Sequence, residues 1–201
     1  MAPTALILAG AGMLSDLART LVIEGWRVVL PSRRYSPVPV DGDPEPEGRA
    51  VWVEAHWDEP RELARRVEAT LRGDRADLLV TWLHDAYRQD VVAAVEPLLS
   101  ASAPVVELRS RSADGVPEQA DAGALAGRPT QYVLLGDVSA EGDRPLGHGE
   151  IAAGVRAAVA RARAGSPSSR HEIGRRRRST IPRPRVHGVA GSWLKLAPRV
   201  G

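Results

Sequence analysis

The residues best placed to do chemistry are Gly10, Ala11, Gly12 and Ser15, followed by Ser32, Arg33 and Arg34. A glycine at 10 permits a tight turn, and one at 12 lets the main chain approach a ligand with no Cβ between them. The free N–H groups of a helix that begins there face an anion. Ser15 stands where a third glycine of G-x-G-x-x-G would fall, and it is small enough for a helix and a strand to pack closely. This combination suits a diphosphate. Arginines grip a phosphate through several donors at once, whereas an acid in the place of Ser32–Arg34 would bond a ribose 2′-hydroxyl. The chain has two arginines there and no acid, so NADP is expected in preference to NAD.

The elements that must position these residues can be read from the same stretch, residues 4–34. Residues 5–9 are a short apolar run, as in a strand buried on both faces. Leu14, Leu17, Ala18 and Leu21 fall at helical spacing, and Gly25 suits the left-handed turn that ends a helix. Residues 28–30 are a second apolar strand. Strand, glycine turn, helix and strand make the βαβ unit that binds dinucleotides.

Further strands are predicted at residues 50–55, 77–83, 103–108 and 130–136. Leu63, Val67 and Leu71 mark one helix, with Asp58 as its N-cap and Pro60 in its first turn. Val91, Val95 and Leu98 mark a second, shortened by Pro97. Ile151, Val155, Val159 and Ala162 mark a last helix over 148–164. Residues 109–129 show no helical stripe. The pattern predicts an α/β fold: a doubly wound, mostly parallel six-stranded Rossmann-like sheet in the order 3-2-1-4-5-6. Ligand chemistry then belongs at the C-terminal ends of the strands, where His56, Asp58, Leu83, His84, Asp85, Ser110 and Ser112 follow.

Two parts are expected, a dinucleotide-binding domain over residues 1–165 and a basic tail over 166–201. The tail holds nine of the 27 Lys+Arg and one of the 25 Asp+Glu, a formal +8 against −6 for the remainder. Arg175, Arg176, Arg177 and Arg178 form its densest run. Proline, serine and glycine around them predict a disordered, solvated extension rather than specific nucleic-acid recognition. No cysteine is present, which excludes disulfides and thiolate chemistry. The five histidines show no paired metal-ligand spacing. Hydrolase elbows and phosphate loops ending in Gly-Lys are absent. With no membrane-length apolar run and no basic leader, a soluble cytoplasmic protein is expected, with self-association left open.

Residues 9–34, AGAGMLSDLARTLVIEGWRVVLPSRR, resemble the opening of a short-chain dehydrogenase/reductase, closest to atypical short members that open G-G-T-G-M-L. The resemblance continues through His56-Trp57-Asp58, Trp82-Leu83-His84, Ser110 and residues 146–158, and so covers about residues 4–164. It implies that Gly10, Ala11, Gly12, Met13 and Leu14 lie under the cofactor pyrophosphate. Arg33 and Arg34 would face the 2′-phosphate and Asp58 the adenine amine. Leu83 and His84 would stand on the nicotinamide side, and Ser110 would orient the substrate.

The chain departs from that family at its proton relay, Tyr-x-x-x-Lys. Tyr35, Tyr87 and Tyr132 are followed four residues later by Pro39, Val91 and Gly136, and the single lysine is Lys195. His84 is the alternative acid or base, since imidazole titrates near neutrality; the simpler reading is a strand-end histidine bonded to nearby main chain or to Asp85. Three functions remain open: an atypical oxidoreductase on a small carbonyl or alkene, an idle NADP(H)-binding regulatory protein, and a non-redox lyase or cyclase.

Overall fold

Strand β1 (Thr4–Ala9) is buried along its whole length because helices cover both faces of the sheet around it. The computed structural model describes residues 2–9, 12, 14–35, 37–38, 47–110, 125 and 127–176. After β1 come α1 (Ser15–Ile23), β2 (Arg27–Ser32), β3 (Arg49–Glu54), α2 (Pro60–Leu71), β4 (Leu78–Trp82) and α3 (Asp85–Val95). The chain continues through β5 (Val105–Ser110), β6 (Thr130–Leu135), α4 (His148–Arg163) and β7 (Ser169–Ile173). All neighbouring strands are parallel, in the order β3-β2-β1-β4-β5-β6-β7.

The two-residue period of β1 divides the core. Ala5, Ile7 and Ala9 pack with Leu17 and Leu21 of α1 and Val155 and Val159 of α4. Leu6 and Leu8 point the other way, against Leu63 and Val67 of α2 and Val91 and Val95 of α3. Each such side chain taken from water contributes about 1.5–3 kcal/mol. Both faces are dry, so β1 reads as a continuous apolar run rather than an alternation.

The six expected strands are all present, and β7 adds a seventh. It lies inside the stretch expected to be tail, and it pairs with β6 from Gln131↔Ser169 to Leu135↔Ile173. Its sequence, SRHEI, is polar because only alternate residues are half-buried. Buried Gln131 supplies polar partners: its amide donates to the Pro167 carbonyl (2.9 Å), and its Oε1 lies 2.9 Å from His171 Nε2. After β7 the chain folds back onto the β6–α4 loop, where Arg175 N–H donates to the Val138 carbonyl (2.8 Å). Gly174 (φ 72°) makes that reversal possible, since a Cβ there would sit 2.4 Å from the Val138 carbonyl oxygen.

One helix boundary differs from expectation. Glu59, not Asp58, is the N-cap of α2, because Pro60 with its fixed φ and missing N–H takes the first helical position. At the other end Arg72 (φ 57°) adopts the left-handed turn one residue before Gly73. Pro97 does end α3, in a single 3₁₀ turn (Glu96–Leu98). Most of 109–129, expected to lack a helix, lies outside the described residues. Among the described residues, no helix is long and apolar enough to cross a membrane.

Candidate dinucleotide site at the C-terminal rim

The strand registers bring the candidate residues to one rim. Ala9 is level with Trp82, Ser32 with Glu54, and Ser110 with Leu135. Ser110, expected beyond a fifth strand ending at residue 108, is the last residue of β5. His84 stands two residues beyond the end of β4, which pairs with β5 up to Thr81↔Glu107.

Of the glycine turn, Gly12, Leu14 and Ser15 are described; Gly10, Ala11 and Met13 lie outside the described residues. Gly12 has φ 82°, and the space where a Cβ would stand is clear. Ser15 closes the turn, its hydroxyl donating to the Gly12 carbonyl at 3.0 Å. The N-cap residue of α1 is Leu14, whose side chain cannot cap, so among the described residues no side chain caps the first-turn N–H groups. Beside this helix start lies a small cleft of about 30 Å³, open to solvent. It is lined by Ile7, Ala9, Gly12, Leu14, Ser15, Leu30, Pro31, Ser32, Val38 and Trp52. Among the described residues, these side chains leave that small cleft between β1, β2 and α1 open.

Ser32 organises the far wall. Its hydroxyl accepts from the Trp52 indole N–H (2.9 Å) and donates to the Arg34 carbonyl (2.7 Å). The hydroxyl proton is thus committed, and the main chain is bent so that Arg33 and Arg34 leave the sheet into solvent. Neither arginine forms an ion pair among the described residues. Tyr35 follows at once, its ring edge-on to Trp52 with centroids 5.5 Å apart and planes at 80°.

The remaining candidates stand further along the rim. Asp58 is exposed in the turn before α2, while Trp57 packs against the α2–α3 core. Leu83 buries its side chain in that same core. His84 is the N-cap of α3, with Nδ1 accepting the Ala86 N–H at 3.2 Å. A neutral ring that accepts at Nδ1 carries its proton on Nε2. Arg88 bonds Asp85, reaches the Leu83 carbonyl at 3.5 Å, and pairs with buried Glu107 on β5 at 3.3 Å. Arg109 holds the same carboxylate at 2.8 Å. The turn carrying His84 is thereby clamped to the strand carrying Ser110.

Trp52, Val38, Tyr35, Arg88 and Glu107 escaped the sequence reading. The Trp52–Ser32 bond joins residues twenty apart in sequence, and no local pattern announces it. Glu107 was visible as a lone acid inside an apolar strand.

A parallel doubly wound sheet with a glycine turn at its C-terminal rim defines the Rossmann-like class. No protein-family model matches the chain, and no curated protein matches it in sequence. Solved structures do match in fold. A short-chain dehydrogenase/reductase from Serratia marcescens superposes with a TM-score of 0.54 and 14% identity, over 86% of this chain and 97% of that one. An NADH-dependent reductase, A1-R′, responsible for alginate metabolism and solved in complex with NAD, superposes with a TM-score of 0.56 and 19% identity, over 86% and 95%. The chain therefore has the fold of short-chain dehydrogenase/reductases, as residues 9–34 suggested.

Proposed function

We propose that this protein binds a nicotinamide dinucleotide, NADP(H) in preference to NAD(H), and acts as an atypical oxidoreductase on a small carbonyl or alkene. The open cleft between the α1 start and Ser32 carries this reading. The residues present fit the cofactor. Gly10, Ala11, Gly12, Met13 and Leu14 would hold the diphosphate, and Arg33 and Arg34 the 2′-phosphate. No acid follows Ser32 on its own strand, and Glu54, level with it on β3, is bonded to Arg66, so a ribose 2′-hydroxyl would lack the carboxylate that an NAD site offers it. Asp58 and the Leu83 main chain would flank the adenine and nicotinamide ends. The NAD bound to the A1-R′ reductase agrees with a nicotinamide dinucleotide but not with a preference for NADP.

The cofactor, when bound, supplies hydride chemistry. This chain's residues supply position. His84 presents Nε2–H and Ser110 a hydroxyl at neighbouring strand ends, both able to orient a carbonyl oxygen. To act as an acid His84 would have to carry a proton on Nδ1 as well, and so lose its bond from Ala86 N–H. Water is therefore the better proton source. The same bond favours the second reading, a catalytically idle NADP(H) sensor.

Calorimetric titration with NADPH and NADH tests the binding. NADPH should bind the tighter, and Arg33→Ala should weaken it about tenfold or more, as expected for a charge-assisted contact. An unchanged NADPH affinity in that variant rejects the 2′-phosphate assignment. Following NADPH absorbance with aldehydes, ketones and enones then separates the two readings. Turnover lost in His84→Ala indicates the enzyme, and tight binding without turnover indicates the sensor.

A further inference from the structure

We infer that Tyr35 is the base-stacking residue of this site, a ring held in solvent to receive the adenine of the dinucleotide. The inference rests on the reading above and assigns a residue that the glycine turn and the arginines do not predict.

Tyr35 is the most exposed of the large apolar side chains described, at 68% of its surface. An aromatic ring left in water forfeits its burial energy, so what holds it there matters. A relay of contacts from the sheet holds it. Trp52 lies on β3, level with Leu30 of β2. Its indole N–H is fixed on the Ser32 hydroxyl, and its ring supports Tyr35 edge-on. The Ser32 hydroxyl also donates to the Arg34 carbonyl, which sets the direction in which Tyr35 leaves the strand. Among the described residues Trp52 is the ring partner given for Tyr35, and that edge contact, with 68% of the side chain exposed, leaves a face of the phenol ring available. That ring follows directly after Arg33 and Arg34, and its supports Trp52 and Ser32 are walls of the cleft. A flat, electron-rich face on the residue that follows two exposed arginines suits a purine bearing a phosphate on its ribose. Stacking needs no hydrogen bond, so the ring adds affinity for the base while the arginines read the phosphate.

Three tyrosines in the chain make the test direct. Full-length protein with ¹³C-labelled tyrosine should give three sets of ring signals, and Tyr35→Phe identifies the one that belongs to residue 35. Adding adenosine 2′,5′-bisphosphate should shift that set upfield and leave those of Tyr87 and Tyr132 in place. By calorimetry Tyr35→Ala should lose roughly tenfold in affinity for NADPH and for adenosine 2′,5′-bisphosphate. Tyr35→Phe should match the wild type, since only the ring face is used. Affinity for nicotinamide mononucleotide, which lacks adenine, should be unchanged in both variants. Wild-type affinity in Tyr35→Ala, or an equal loss for nicotinamide mononucleotide, overturns the inference and leaves the dinucleotide site standing. Failure of the wild type to bind NADPH or adenosine 2′,5′-bisphosphate overturns both.

Discussion

At the scale of single residues, the rim is held by side chains whose hydrogen bonds are already committed. His84 is the clearest case. It caps α3, so His84→Ala should lower stability by about 1 kcal/mol whatever its role in turnover. His84→Asn, which can still accept the Ala86 N–H, should restore the melting temperature. Catalysis restored along with it would mean that the imidazole only positions the turn. Legibility at this scale was partial. The turn at Gly12 could be read because its left-handed conformation is local to its own segment. The pairing of Ser32 with Trp52 and the clamp of Arg88 on Glu107 could not, because those partners meet only when separate strands and helices assemble.

At the scale of elements, the β6–α4 loop and β7 are tied together by charge and geometry. Glu150, in the first turn of α4, accepts from the Ser139 hydroxyl (2.6 Å), Arg144 (2.6 Å) and the Gly147 N–H (3.0 Å). The Ser139 hydrogen bond first, and then that from the Gly147 main chain, hold its carboxyl below the usual range. The charged form is thus favoured in the folded state. Its contribution is present above the unfolded pKa and is lost as pH falls through the folded value. Acid melting curves of wild type and Glu150→Gln should therefore converge as pH drops below about 4, the range of an unperturbed glutamate. His171 shifts the other way in charge. Burial, and then the Arg161 guanidinium, lower its pKa, so protonation opposes folding. Stability should decline as pH falls below about 6.5, the unperturbed histidine value, and His171→Gln should flatten that decline. The sequence concealed β7 for the same physical reason. An edge strand whose inward residues bond a buried glutamine needs no apolar run, and apolar runs are what mark strands in a chain like this.

At the scale of the whole molecule, the sheet does not stop at residue 165. Gly136 N–H donates to the Ile173 carbonyl (2.8 Å), and Arg175 pairs with Asp143 (2.6 Å). A chain ending at Gly165 should therefore melt well below the full-length protein by calorimetry, having lost a strand and the support of the β6–α4 loop. An unchanged melting temperature would mean that β7 contributes nothing to the fold. The architecture could be read from the sequence because alternating apolar runs and helical stripes, repeated along the chain, leave few topologies open. The central position of β1, between β2 and β4, has a consequence during synthesis. Thr4–Ala9 can pair with Arg27–Ser32 soon after both leave the ribosome, but its other edge waits for Leu78–Trp82. Until that later segment emerges, the most apolar ribbon of the chain carries an unsatisfied margin, and there a nascent-chain chaperone has most to protect.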